Sequence, residues 1–156
     1  MYGKSVIPGA GDTAPIRKEN FMIELINTLP QTVAAGQSVA YDSTAVKSGR
    51  QERHREGSSQ ILLNGPGRWL VGFSGNIAVP TGGTVEEITL GITYNGEVLG
   101  GSLMRATPAA VEEFFNVSTQ HYVDVPCSCC VTITAANPGT QAIVVDNPNL
   151  IAVRVC

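Results

Sequence analysis

From residue 60 onward the chain is a succession of short stretches in which large apolar residues alternate with small or polar ones, each closed by Gly, Pro or Asn. They cover residues 68–79, 85–94, 98–104, 114–125, 130–135, 142–145 and 150–155. A period of two sends successive side chains to opposite faces of a strand, so each stretch reads as a β-strand. The one helix-like stretch is Thr107-Pro108-Ala109-Ala110-Val111-Glu112-Glu113, with Thr107 as a cap and Pro108 at the first helical position. At one or two turns, a loop is an equal alternative there. Chains with many short strands and no long helix close their sheets into sandwiches or barrels, so the fold class is all-β.

Residues 69–79 show the pattern most fully. Trp69, Val71, Phe73, Gly75, Ile77 and Val79 share one face; Leu70, Gly72, Ser74, Asn76 and Ala78 share the other. The bulky set belongs inside. The small set leaves a face that another sheet or another subunit can approach closely. Asn95-Gly96 is a strong hairpin signal, because both residues tolerate positive φ, and it makes neighbours of the strands ending at Tyr94 and starting near Val98. Gly100-Gly101 is expected to mark a bulge in the second of these. Upstream, residues 21–26 read as the first strand, ended before Pro30. Residues 32–34 and 38–41 follow as a hairpin-like or sheet-switching element. Asn147-Pro148-Asn149 is expected to introduce a separate final strand.

At 156 residues the chain fits one domain, 21–156, with a tail. Residues 1–20 hold few large apolar side chains and cannot bury enough surface to offset their ordering entropy. They read as an extended N-terminal arm, either a loose terminus or one ordered against a partner. The mixture of Tyr2, Val6, Ile7 and Ile16 with Lys4, Arg17 and Lys18 favours docking. Charged residues are only 15% of the chain, below the usual quarter, while hydrophobic residues are 43%. A surface so poor in charge fits one that partner chains cover. The net charge of −3 does not select for nucleic acid. No apolar run approaches the roughly 18 residues of a membrane span. The first residues lack the apolar core of a signal peptide, so synthesis in the cytoplasm without a cleaved signal is expected.

No constellation of residues makes a convincing catalyst or cofactor site. His54 lies in the charged run 47–56 and His121 in mid-strand, and there is no G-x-S-x-G elbow and no phosphate-binding loop. Glu86-Glu87 and Glu112-Glu113 are adjacent pairs, which a strand points to opposite faces. Cys127, Cys129, Cys130 and Cys156 have neither the spread of a secreted disulfide framework nor the C-x₂-C spacing of a zinc site. Several readings stay open for them: soft filler residues and partly exposed thiols, an inter-strand or interchain disulfide, or a metal site completed by Cys156, His121 or symmetry-related chains. The charged run, with Lys47, Arg50, Arg53 and Arg55 against Glu52 and Glu56, reads as a solvated loop or as a contact with a neighbouring chain. The aromatics Tyr94, Phe114, Phe115 and Tyr122 are assigned to core or interface without separating the two. The expectation is a non-enzymatic protein with no cofactor.

Two motifs carry a family resemblance. Gly67-Arg68-Trp69-Leu70-Val71-Gly72-Phe73-Ser74-Gly75-Asn76-Ile77 resembles the strand of complement-globular-head and tumour-necrosis-factor-like jelly rolls in which a Gly-x-aromatic stretch leads into alternation. The hairpin Ile92-Thr93-Tyr94-Asn95-Gly96-Glu97-Val98 and the closing strand 149–155 resemble the matching units of those domains. The resemblance covers roughly residues 21–156. It implies a ten-strand sandwich that packs as a tight homotrimer. The CSCC run and the lack of a collagen-like repeat depart from the animal members, and the chain looks more like small proteins of bacteria and their prophages. For these the resemblance implies a capsid decoration protein or head fibre on the virion surface. Its partners are further copies of itself and the major capsid protein or another virion protein, with neither nucleic acid nor membrane involved. A fibre tip binding a host glycan or receptor through 47–56 and 107–113, and a spore- or cell-surface fibre head, are the alternatives.

Overall fold

The computed structural model describes residues 21–49 and 52–156, the side chains of Glu52 and Arg53 excepted. The arm expected at residues 1–20, with Tyr2, Lys4, Val6, Ile7, Ile16, Arg17 and Lys18, lies outside the described residues, as do Arg50 and the side chain of Arg53. In chain order the strands are β1 (Met22–Ile26), β2 (Gln31–Val33), β3 (Ser43–Ser48), β4 (Glu52–Arg53), β5 (Ile61–Leu63), β6 (Gly67–Ala78), β7 (Ile88–Tyr94), β8 (Glu97–Val98), β9 (Met104–Ala106), β10 (Phe115–Val125), β11 (Val131–Ala136) and β12 (Ile143–Arg154). Among the described residues there is no helix, as expected of an all-β chain. Residues 107–114 form bends and turns, in which Glu112 takes a left-handed φ of 59°.

Two antiparallel sheets result. The first runs β9-β7-β11-β5-β4, with β8 on β7; the second runs β10-β6-β12-β1-β3, with β2 on β12. Their inner faces share one core. Ile23, Leu25, Trp69, Val71, Phe73, Ile77 and Leu150 come from the second sheet; Ile61, Leu63, Leu90, Ile92, Met104 and Ile133 come from the first. The bulky side of β6 is inside as its alternation required. Trp69 is fully enclosed and donates its indole N–H to the Gly65 carbonyl at 2.9 Å, so its one polar group is satisfied.

Two expected features differ in detail, and one strand was not expected. The 98–104 run is broken: Gly101, at φ 86°, makes a turn instead of a bulge, and Ser102 holds it by donating to the Leu99 carbonyl and accepting the Ile92 N–H. Asn147-Pro148-Asn149 does not separate two strands. It forms a bulge inside the continuous β12, with Asn147 at φ 53° absorbing the register shift between Asp146 and Asn149. Strand β3 has no counterpart in the sequence reading, because STAVKS carries no large apolar alternation. The hairpin β7–β8 is as expected, pairing Tyr94 with Glu97 across Asn95 (φ 51°) and Gly96 (φ 91°).

Residues 38–41 cross between the sheets, bridging Ser38 to Ala136 and burying Val39 and Tyr41. Gln31 clasps this segment by bonding both the N–H and the carbonyl of Ala40. The Tyr41 hydroxyl is fully buried and has no hydrogen-bond partner among the described residues, and burial pushes its ionisation far above the usual range. An unmet buried hydroxyl costs about 1–3 kcal/mol. Tyr41→Phe is therefore expected to raise the urea midpoint, by about 1 kcal/mol in unfolding free energy. Trp69→Ala is expected to lower stability by roughly 3–5 kcal/mol. Equilibrium urea titration followed by far-UV circular dichroism checks both.

Candidate functional site

The two outer faces of the sandwich differ in chemistry. On the first sheet, Thr93 and Thr134 pair across β7 and β11 and bond to one another at 2.5 Å. Ser38 donates to Thr134, and Thr89 and Thr132 lie at alternate positions of the same strands. This stretch is polar and self-satisfied; on the same face Leu62 is half-buried on β5, and the exposed Val98 and Leu103 lie over Gly91. The second sheet is different. Its outward rows follow from the strand register. Tyr122, Leu70, Val153, Met22 and Ser48 form one row; Gln120, Gly72, Ile151, Glu24 and Val46 form the next. Beyond them lies a row of Ser118, Ser74 and Asn149, polar up to Ile26 on β1.

An apolar band thus crosses the sheet, with Leu70, Val153, Met22 and Ile151 half-buried among their own neighbours. Tyr122 stands at one end of the band with 62% of its surface exposed, and Val46 is exposed at the other. Gly72 leaves a hollow in the middle. A Cβ there would lie 3.3 Å from Ile151 Cγ1, so even one carbon would press on the wall. The hollow opens into a trough of about 400 Å³ lined by Gly72, Ser74, Ser118, Gln120, Asn149 and Ile151. Gln120 joins it to a second depression of about 330 Å³ beside Leu70, Gly101, His121 and Tyr122.

Polar contacts frame the band. Arg68 donates to both oxygens of Asp124, at 2.8 and 3.1 Å, and this holds the Asp124 carboxyl below its usual range. Both side chains are largely solvent-exposed, so water screens the pair and its role is to frame the face, not to stabilise the fold. Asn149 donates to Glu24 at 2.5 Å, and Asn116 to Asn76 at 3.1 Å.

The other sequence candidates are scattered. Tyr94 packs against the core and donates its hydroxyl to the Asp124 carbonyl at 2.7 Å, which makes it a core residue. Phe114, Phe115 and Tyr122 are exposed and belong to the surface. Of the inward positions on β10, Val117, Val123 and Val125 are buried, whereas Phe115 is 39% exposed because β10 is an edge strand. Lys47 is exposed on β3 and Arg55 in the loop after β4. His54 is held by Thr44 and the Ser58 carbonyl, and His121 Nε2 lies 2.9 Å from the Gly100 carbonyl.

None of the four cysteines is core filler. Cys127, Cys129 and Cys156 are exposed, Cys130 is half-buried, and all four are free thiols. The reason is that the CSCC run lies in the loop between β10 and β11, outside both strands. Among the described residues, no group of three or more His, Cys, Asp or Glu side chains is placed to hold a metal ion. Sequence reasoning had half of the apolar band, the small side of β6. It missed Met22, Ile151 and Val153, whose place beside Leu70 depends on strand pairing and not on local pattern. The one global signal was the low charge content.

No protein-family model and no curated protein matches this chain. Solved structures do. The globular domain of zebrafish complement 1qA protein superposes with a TM-score of 0.64 and 8% identity, over 88% of this chain and 98% of that one. Murine APRIL gives 0.64 at 11% identity, over 88% and 100%. The fold is a tumour-necrosis-factor-like jelly roll. PRD1 vertex protein P5 shares it less closely, with a TM-score of 0.52 and 14% identity over 90% of this chain and 100% of that one. At these identities the likeness is one of fold. In this jelly roll the outer band and the core meet at adjacent positions of a single strand. Tyr122→Arg is expected to give a folded protein with an intact near-UV signal from Trp69. Val123→Arg, one residue along and pointing inward, is expected to abolish that signal.

Proposed function

We propose that this protein is a non-enzymatic structural component of a phage virion. It assembles as a homotrimer through the outer face of its second sheet, and it decorates the capsid surface or builds a head fibre. The observation that carries this reading is the apolar band that crosses the second sheet from Tyr122 to Val46, with a hollow at Gly72. An exposed edge lies beside the band, where Tyr122 sits on the edge strand β10. Contact of one copy's edge with another's face is heterologous, and a heterologous contact closes into a ring when the rotation permits. A standard interface removes about 800 Å² per partner from water. At about 25 cal/mol per Å² of apolar area, such burial outweighs the cost of association when the centre is apolar.

Residues 1–20, with their mixed apolar and basic side chains, are the proposed docking arm for a major capsid protein or another virion protein. The virion assignment rests on the resemblance to phage-encoded jelly rolls and is supported by the shared fold of the PRD1 vertex protein P5. The arm would leave the domain at a fixed corner. Phe21 lies under the Arg154 guanidinium, 5.4 Å from ring centre to carbon, and accepts the Arg154 N–H at its carbonyl. A second reading, a tip that binds a host glycan or receptor, is favoured by the open depression of about 560 Å³ beside His54, Arg55, Ser58 and Gln60.

The expected solution mass is that of a trimer with and without reductant, by light scattering. Leu70→Arg is expected to lower it to that of a monomer. Deleting residues 1–20 is expected to leave the trimer intact and abolish co-sedimentation with capsids. A wild-type monomer contradicts the assembly. Capsid binding that survives arm deletion contradicts the docking role.

A further inference from the structure

Cys129 and Cys130 are adjacent in sequence, yet their Sγ atoms lie only 2.8 Å apart. In a regular strand, neighbouring side chains point to opposite faces and their sulfurs diverge. Here the backbone between Val125 and Val131 leaves the β conformation and turns both thiols to the same side. The separation lies between contact and bonding: a disulfide is about 2.04 Å long. Closing it makes an eight-membered ring through the Cys129–Cys130 peptide, so the bond is strained and readily reduced.

We propose that Cys129 and Cys130 form a vicinal dithiol, a two-electron redox site that closes on itself into an intrachain disulfide. Three observations support it. The loop is at the surface, with Cys129 exposed and Cys130 half-buried, so a small oxidant reaches the pair. No third His, Cys, Asp or Glu joins the two sulfurs in a set that would hold a metal ion, among the described residues. The two thiols also differ in access: Cys129 is exposed, while Cys130 is half-buried. Cys129, the thiol a small oxidant reaches first, is therefore the nucleophile and Cys130 the resolving thiol.

With a disulfide such as oxidised glutathione as oxidant, the chemistry balances. The Cys129 thiolate attacks one glutathione sulfur. A mixed disulfide forms, and the first glutathione thiolate leaves. Cys130, losing its proton to solvent, then attacks the Cys129 sulfur and expels the second glutathione. One S–S bond is consumed and one is formed, and two electrons pass from the protein to two glutathione molecules. Closure inside one loop would also keep these thiols from cross-linking neighbouring copies.

The test uses the full-length reduced chain, treated with oxidised glutathione. The expected product has lost the mass of two hydrogens and two of its four titratable thiols, carries no glutathione, and runs as a single chain on a non-reducing gel. A peptide spanning Cys129 and Cys130 should hold the bond. Cys130→Ser is expected to stop the reaction at a stable glutathione adduct. The double variant Cys127→Ser with Cys156→Ser is expected to close as the wild type does. As a second readout independent of oxidation, phenylarsine oxide should bind one equivalent to the reduced wild type and none to Cys129→Ser or Cys130→Ser. A persistent adduct on the wild type, cross-linked chains joined at Cys129 or Cys130, or arsenical uptake unchanged by Cys130→Ser would overturn the proposal.

Discussion

Strand β6 is hydrogen-bonded along both edges, to β10 over eleven residue pairs and to β12 across its bulge. Its side chains therefore face two environments with no freedom to exchange them, since a slip of one residue would turn Trp69, Val71, Phe73 and Ile77 outward. The rest of the jelly roll depends on this constraint. The inward set anchors the core around a Trp whose only polar group is satisfied within the fold. The outward set is small, and that smallness lets Ile151 on β12 and Gln120 on β10 lean toward one another over Gly72. Core and surface band are two sides of one alternation, held by the same ladder.

The limits of what the residues reveal on their own follow from the same geometry. Strand content, the β6 faces and the Asn95-Gly96 hairpin are local, and each was legible in a window of a few residues. The bulge at Asn147 was not, because only pairing with β6 shows that the strand resumes in the same sheet. Strand β3 was hidden for a related reason. Its residues are small or charged, and β1 recruits them through its free edge, not through their own pattern. The candidate site shared this fate. Leu70 and Gly72 could be placed on one face from the sequence, but Met22, Ile151, Val153 and Tyr122 join them only through register. For the cysteines, a loop between two strands cannot be told from a strand start when the run is CSCC, so their exposure came only with the structure.

Two ends of the band suit different tasks. The Tyr122 end carries the Arg68–Asp124 pair, and at the Val46 end β1 begins with Phe21 fixed against Arg154 and Gly49. The loop that holds Cys127, Cys129 and Cys130 follows Val125, which pairs with Gly67 at the pole of the strands where Arg154 and Phe21 also lie. In the proposed assembly, the docking arm and the dithiol loop thus leave the sandwich at one pole, while the turns after Ala78 lie at the other. Low overall charge fits this arrangement, because a surface that meets sister copies is served by shape and apolar contact and not by solvation.

The central claim is that the apolar band of the second sheet is covered when the protein assembles. Hydroxyl-radical footprinting of the full-length chain across a concentration series reads this directly, with Tyr122 as reporter and the exposed loop residue Leu29 as reference. The expected result is that Tyr122 and Met22 become protected as concentration rises while Leu29 stays reactive. Tyr122 that stays as reactive as Leu29 at concentrations where the protein is oligomeric would contradict the account.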